Sequence, residues 1–436
     1  MYPTLNECFI AVKEQPLYSA FVVNSNGNNV LLRMNESAAR ILRLCDGTKT
    51  IEEIKKIPTL HYHEKEETVS NFVNTFLTTA KEQAYVKVNT EKQAAREITV
   101  VGSDSYWTPD TLAIELTENC PLKCRHCYLN AGVGNTMALD CAQKILDEAS
   151  EFYIENIQLT GGEPLIHPHF FTILDRACSL GARIHISTSG YILNQDTINK
   201  LKTYASKKIV LQVSIDGLEE YHDSFRGVQG CFKKSMAFIK EMISAGIKVI
   251  VGLCIDTQTY EEIKALCEQL KLIGVSGIRI GAITNRGRAE NVLATDVEKM
   301  RTIREIEKQL LRDEGNERFD VVFAEESLRD QESEYTHNCG IGQILLKISP
   351  IGDVSPCLLS EIVVGNAKTN SLLEIQKTYS RKFEQLRAPS AHLCLDCARK
   401  KICVGCITEG LTNQKSTSKC NWFDCQAHIL TEVMTN

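Results

Sequence analysis

The chain has no long apolar run. No stretch of its 436 residues reaches the eighteen or so that a membrane-spanning helix needs, so no membrane partner is expected. It also lacks a surplus of positive charge. Lys+Arg number 49 against 55 Asp+Glu, a net charge of −6, and that balance removes nucleic acid and anionic lipid from the expected partners. The first residues, Met1-Tyr2-Pro3-Thr4-Leu5-Asn6-Glu7, carry neither a basic n-region nor an apolar h-region. No secretory signal is visible, and a cytoplasmic location is expected.

Cysteine, by contrast, is abundant: 18 residues in a length that calls for two or three domains. In a reducing compartment, metal binding or catalysis is a better use for them than disulfides. Three lie together in Cys120-Pro121-Leu122-Lys123-Cys124-Arg125-His126-Cys127-Tyr128, a C-x3-C-x2-C spacing just after an apolar run, Thr111 to Thr117, that reads as a strand. Eight more follow residue 338: Cys339, Cys357, Cys394, Cys397, Cys403, Cys406, Cys420 and Cys425. The scattered remainder (Cys8, Cys45, Cys141, Cys178, Cys231, Cys254, Cys267) reads as small buried hydrophobes. Three close thiolates can hold three irons of a four-iron cluster and leave the fourth open to chemistry. The alternative is zinc, although zinc sites usually pair two C-x2-C units at longer separation.

From Thr111 onward strands and amphipathic stretches alternate. Strands are predicted at 111–117, 157–160, 182–188, 209–215, 247–254 and 277–281, with helical stretches such as Leu139–Phe152 and Glu261–Leu272 between them. Six such units argue for an α/β fold with a parallel sheet and right-handed crossovers. Chemistry in these folds gathers at the C-terminal ends of strands. Four segments obey that rule: the cysteine loop, Thr160-Gly161-Gly162-Glu163-Pro164, Thr188-Ser189-Gly190 and Ser214-Ile215-Asp216-Gly217.

Residues 1–95 read as a separate small domain. Strands at Phe9–Val12 and Ala20–Val23, the turn-rich Asn24–Asn29 and the return at Val30–Leu32 suggest a hairpin. Asn35 and Thr50 are placed to cap two short helices, and Val69, Phe72, Val73, Phe76 and Leu77 mark a third. The shape is that of a winged helix, whose usual partner is DNA. Eleven Lys/Arg against eleven Asp/Glu in this segment speak against a phosphate-binding face. After a polar connection at Leu311–Arg318, the tail carries Cys394-x2-Cys397-x5-Cys403-x2-Cys406, for which structural zinc is again the alternative to iron.

Taken together these motifs resemble the radical S-adenosylmethionine (radical SAM) enzymes of the SPASM branch that mature ribosomal peptides. The resemblance implies a partial (β/α)6 barrel over residues 108–312, a winged-helix-like recognition element that takes a precursor's leader as an added strand, and a SPASM domain over 330–436. It implies three [4Fe–4S] clusters and S-adenosylmethionine. Cys120, Cys124 and Cys127 would hold the cluster that binds the cofactor. Gly161, Gly162 and Glu163 would take its amino group, with Glu163 alternatively fixing the loop. Thr188, Ser189, Ser214 and Asp216 would reach its ribose and carboxylate, and Arg226 would pair with the carboxylate. Gly287-Arg288-Ala289 resembles a loop near the adenine. In the tail, Cys339, Cys357 and Cys406 are implied for one auxiliary cluster, either open at the fourth position or completed by Cys420. Cys394, Cys397, Cys403 and Cys425 are implied for the other. The tail's x2 spacing at Cys403–Cys406, where the family has x3, leaves the allocation open. The expected partners are a precursor peptide and an external electron donor such as flavodoxin or ferredoxin. The expected reaction is an intramolecular thioether crosslink. Carbon–carbon or carbon–oxygen crosslinking and side-chain oxidation of the sulfatase-maturase type are the alternatives, and an iron–sulfur carrier or zinc-stabilised adaptor is the non-enzymatic one.

Overall fold

The computed structural model describes residues 1–57, 64–191, 194–207, 209–290, 297–323, 338–390, 393–394, 397, 403, 405–415 and 419–434. Its N-terminal part begins with β1 (Tyr2–Leu5), β2 (Phe9–Glu14), β3 (Ser19–Ser25) and β4 (Asn28–Met34). The β3–β4 hairpin turns on Asn26 and Gly27, both at positive φ (52° and 83°), the conformation that a two-residue turn needs to match strand twist. Asn35 caps the helix Glu36–Leu44 by accepting from the Ala38 amide, and Thr50 and Glu53 form a capping box on Ile51–Lys55. The longer helix Glu66–Glu82 leads to β5 (Val86–Asn89), which pairs with β1, and to β6 (Thr99–Gly102). β6 runs parallel to β2, so the sheet order is β4-β3-β2-β6 and the sheet extends past residue 95. Phe9, Phe21, Ile41, Leu42, Val73 and Leu77 fill its core.

The central sheet follows. β7 (Thr111–Glu115), β8 (Asn156–Thr160), β9 (Arg183–Thr188), β10 (Val210–Ser214), β11 (Lys248–Ile255) and β12 (Gly277–Ala282) pair in parallel, each with the next. These are the six predicted strands. β13 (Asp320–Phe323) adds a seventh parallel strand beside β12, which was not foreseen because four residues after a charged segment carry too little pattern. The predicted connection at Leu311–Arg318 also differs. Its first four residues are the last turn of the helix Val297–Glu314, where Leu310 is buried and Glu314 pairs with Lys271 at 2.7 Å. On the other side of β7 lies β14 (Leu345–Ile348), again parallel, followed by the antiparallel β15 (Asp353–Ser355) and β16 (Gly365–Asn366). The cysteine-rich tail thus continues the barrel sheet.

Alternation along the strands sorts the residues into two faces. Ile157, Leu159, Ile184, Ile186, Leu211, Val213, Val249, Val251, Ile278 and Ile280 are buried against the helices. The opposite face carries Gln158, Ser187, Gln212 and Arg279, which line a cavity. Barrel interiors are ordinarily packed with branched apolar side chains; a polar interior is the mark of a site.

The N-terminal domain is docked on the N-terminal rim of this barrel. Lys13, wholly buried, reaches Asp110 at 2.9 Å and the Pro109 carbonyl at 2.6 Å. Arg33 bridges Asp110 (2.7 Å) and Glu155 (3.4 Å), and the Asn29 amide donates to the Gly181 carbonyl at 2.6 Å. Asp110 and Glu155 immediately precede β7 and β8, and Gly181 lies two residues before the start of β9. Burial alone would raise the Asp110 carboxyl, but Lys13 and Arg33 hold it below the usual carboxylate range. Replacing Asp110 with alanine would strand the buried Lys13 ammonium. The expected cost is about 3–5 kcal/mol, read by chemical denaturation; a loss under about 1 kcal/mol would show that the pair acts as a mere surface bridge. Because the folded carboxyl is depressed, its contribution is present at neutral pH and is lost as pH falls from the unfolded value of about 3.9 through the folded one.

Candidate active site

The cysteine loop follows β7 and is held from several directions. The Cys120 amide donates to Gly132 (2.9 Å), and those of Lys123 and Arg125 donate to the Arg226 and Phe225 carbonyls (3.0 and 2.9 Å) at the end of the helix Glu219–Arg226. His126 stacks on Phe225 with centroids 4.4 Å apart and planes 5° from parallel. The Arg288 amide donates to the Cys127 carbonyl (3.0 Å), and its guanidinium donates to the carbonyls of Cys124 (2.7 Å) and Ala131 (2.5 Å). The Gly287–Ala289 turn therefore buttresses the cysteine loop. Cys120, Cys124 and Cys127 pack in one cluster with Leu122, Cys231, Tyr191 and Val228.

Two sulfurs of the loop receive N–H donors: Ala131 to Cys127 at 3.4 Å and Arg226 to Cys124 at 3.7 Å. Donors aimed at sulfur are how proteins tune cluster thiolates, so the three residues fit an iron–sulfur cluster. Burial pushes the Cys120 thiol up to about 12, so metal must displace a proton there.

The Gly161-Gly162-Glu163 turn is sewn to the segment ahead of Cys120. The Gly162 and Glu163 amides donate to the Thr117 and Asn119 carbonyls at 2.6 and 2.8 Å. A Cβ at Gly161 or Gly162 would lie 2.5 or 2.3 Å from those same oxygens, so both positions require glycine. Glu163 is fully buried, and its carboxylate accepts from Thr188 Oγ1 (2.7 Å), the Ser189 amide (2.8 Å), Ser189 Oγ (2.5 Å) and the Leu165 amide (3.2 Å). Of its two anticipated roles the structure displays loop fixing. The hydroxyls of Thr188 and Ser189 are donated to it. Burial raises the Glu163 carboxyl while these donors oppose the rise.

Asp216 is likewise saturated. It takes Arg226 Nε at 2.7 Å and the Cys254 amide at 3.0 Å. Burial would raise it, but Arg226, His126 and His222 hold it at about 2. Burial brings the imidazole of His126 down to about 4, leaving a neutral ring at neutral pH. Ser214, Asp216 and Arg226 line a cavity of about 280 Å³ together with the three loop cysteines, Gly161, Gly162, Thr188 and Ser189. Sequence reasoning passed over Gln158, Ser187, Gln212, Cys254 and Arg279, all on the same cavity, which His126 and Arg288 of the quoted motifs also line. The signal was present: polar residues two apart in strands otherwise made of isoleucine and valine.

In the tail the thiols form two groups. Cys406 lies in the electrostatic field of Cys339 and Cys357, and Cys403 in that of Cys394 and Cys397. Cys406 Sγ accepts the Glu409 amide and Cys403 Sγ the Asn413 side-chain amide, each at 3.4 Å. Cys420 is half-buried against the core and Cys425 is exposed.

Glu163→Gln would set an NH2 group against donors that now meet only acceptors. An affinity loss for S-adenosylmethionine of about tenfold, roughly 1.4 kcal/mol, is expected in equilibrium dialysis of anaerobically reconstituted protein. Unchanged affinity would remove Glu163 from the positioning of the loops.

Three family profiles match the chain: the radical SAM superfamily at residues 114–270, an iron-sulfur cluster-binding domain, SPASM, at 339–398, and coenzyme PQQ synthesis protein D at 20–86. The antilisterial bacteriocin subtilosin biosynthesis protein AlbA of Bacillus subtilis is 28% identical over 441 residues, covering 97% of this chain and 96% of its own. The sporulation killing factor maturation protein SkfB of the same organism is 28% identical over 73% of this chain and 74% of its own. Streptococcus suis SuiB, crystallised with S-adenosylmethionine, shares the fold with a TM-score of 0.64 at 18% identity, covering 96% of this chain and 98% of that one. The polar barrel, its glycine-cradled cysteine loop and these matches lead to one conclusion: the chain carries a radical SAM domain, a SPASM iron-sulfur cluster-binding domain and a PqqD-type N-terminal segment, and is an enzyme whose cofactors are S-adenosylmethionine, a [4Fe–4S] cluster and auxiliary clusters.

Proposed function

We propose that this enzyme closes an intramolecular thioether in a ribosomally made precursor peptide, joining a cysteine sulfur to a backbone or side-chain carbon. The observation that carries the reading is the pairing, in one chain, of a sheet-edge strand with a polar cavity beneath the cysteine loop. β4 is an edge of the N-terminal sheet. Its Asn29 amide points off that edge to the barrel, so by strand alternation the amides of Leu31 and Arg33 point off it too. Beside this edge, Glu36, Ser37 and Ile41 of one helix and Thr68, Val69, Phe72 and Val73 of another line a groove of about 450 Å³. An extended leader would add as a strand there and seat apolar side chains in the groove. AlbA is named for bacteriocin biosynthesis, SkfB for killing-factor maturation, and SuiB has also been crystallised with its precursor peptide SuiA.

When bound, S-adenosylmethionine and the cysteine-loop cluster supply a 5′-deoxyadenosyl radical that removes one hydrogen atom from the substrate. This chain's residues organise that chemistry. Cys120, Cys124 and Cys127 hold the cluster, and Arg226, kept in place by Asp216, presents charge beside Cys124. Glu163 locks the glycine turn and the end of β9 into one unit. Cys339, Cys357 and Cys406 hold one auxiliary cluster, either open at its fourth position or completed by Cys420. Cys394, Cys397 and Cys403, joined by Cys425, hold the other. An external donor of the flavodoxin or ferredoxin kind supplies electrons.

Joining two closed-shell groups by one new bond removes two hydrogens: one would leave as the atom taken by the 5′-deoxyadenosyl radical, and the other as a proton lost from the thiol and an electron that an auxiliary cluster would accept. The peptide should therefore lose about 2 Da per crosslink, with one S-adenosylmethionine consumed for each. A thioether should also abolish one alkylatable thiol per event and survive reducing agents. Alkylation followed by mass spectrometry reads both quantities. Loss of two hydrogens with every thiol still alkylatable would reject the thioether in favour of a carbon–carbon or carbon–oxygen bond. A product of unchanged mass would overturn the oxidative reading altogether.

A further inference from the structure

Three arginines line the active-site cavity: Arg226, Arg279 and Arg288. Two are committed to the protein. Arg226 binds Asp216 and faces Cys124 Sγ, and Arg288 binds the carbonyls of Cys124 and Ala131. Arg279 is exposed to the cavity and has no hydrogen bond or ion pair among the described residues. Among the described residues the only carboxylate on the cavity wall is Asp216, already paired with Arg226. Space is kept open around Arg279. Its register partner on β11 is Gly252, and Gly281 follows it on its own strand; both line the cavity. A Cβ at Gly252 would come within 3.0 Å of Gln212 Nε2, so the Gln212 carboxamide lies over that glycine, next to Arg279. It too has no hydrogen-bond partner among the described residues. The uncompensated charge is felt deeper in the barrel. Burial, and then Arg183, Arg279 and Lys248, bring the His185 imidazole down to about 4.

We propose that Arg279 and Gln212 form a subsite that reads a carboxylate of the peptide substrate, fixing which residue comes to the cysteine loop. A guanidinium offers paired donors in the geometry of a carboxylate, and a carboxamide adds another. The methionyl carboxylate is not the match. It belongs beside the cysteine loop, where Arg226 already stands, whereas Arg279 is the third of six residues in β12, below the strand end. The carboxylate is that of an aspartate, a glutamate or the peptide's C-terminus. The inference rests on the peptide-maturase reading above.

The test uses the full-length reconstituted enzyme and the same precursor peptide as the mass-spectrometric assay above. Arg279→Gln and Arg279→Lys are compared with wild type. The peptide is varied by single Asp→Asn and Glu→Gln changes and by C-terminal amidation. Loss of a charged hydrogen bond should raise the KM for peptide about tenfold or more in Arg279→Gln, with kcat changed less than KM. One peptide change should impose the same penalty on wild type and no further penalty on Arg279→Gln. The lysine variant should recover part of the loss, because it keeps the charge without the fork. Additive penalties, or no peptide carboxylate that matters to wild type, would overturn the subsite. Weakened S-adenosylmethionine binding with an unmoved peptide KM would overturn it in favour of the cofactor's carboxylate. If wild type leaves the peptide unmodified, the maturase reading itself fails; if wild type modifies it and Arg279→Gln has the same KM, only the subsite does.

Discussion

Asp110 is the point where the three parts of the chain are tied together. Its side chain takes Lys13 and Arg33 from the N-terminal domain. Its carbonyl accepts the amides of Glu155 and Asn156 at the start of β8, and its own amide donates to Ile344 ahead of β14. A buried ion pair is expensive to desolvate and contributes little to net stability compared with apolar packing, but it is intolerant of misplacement. The neighbouring bonds are of the same kind. Gln15 exchanges hydrogen bonds with Thr108, while Trp107 is held by Ser380 and Gln376 of the tail helix Leu372–Glu384. The linker into the barrel is gripped from both sides, so the orientation of each part is specified by directional contacts.

At the opposite rim the same economy of buried charge shapes the chemistry. Glu163 and Asp216 are both fully buried, and each spends its oxygens on protein donors. They serve as internal struts: one joins the ends of β8 and β9, the other sets Arg226 against the cysteine loop. The groups left facing the cavity are those that a cofactor or substrate can use. This division of labour explains why carboxylates in motifs that look like ligand contacts make their hydrogen bonds inward.

The barrel was legible because its strands are short apolar runs separated by amphipathic helices, and because four chemical motifs fall at strand ends. The N-terminal helices were legible from Asn35 and Thr50, whose capping is a local matter. What escaped was long-range. Nothing in Leu345-Leu346-Lys347-Ile348 announces that it pairs with β7, more than two hundred residues earlier, since parallel pairing depends on a partner brought close only by the fold. The role of Glu163 was left open for the same reason: its acceptor capacity is consumed by Thr188 and Ser189, twenty-five residues on. Arg279 sits in a strand where a single cation reads as an exposed edge residue, and only closure of the sheet places it inside.

The N-terminal domain sits under the barrel, at the starts of β7, β8 and β9, while the cysteine loop sits above their ends. On the proposed function, a peptide anchored on β4 would have to climb the outside of the barrel before any residue of it could react. Strands of five to eight residues make that wall about 17–26 Å tall at ~3.3 Å per residue, and an extended chain needs at least about five to eight residues to cover it. On the proposed function the fold would act as a ruler. It would set a stretch of precursor next to the anchored leader that is out of reach, and would make the distance from the leader, as much as the identity of a residue, a condition for modification.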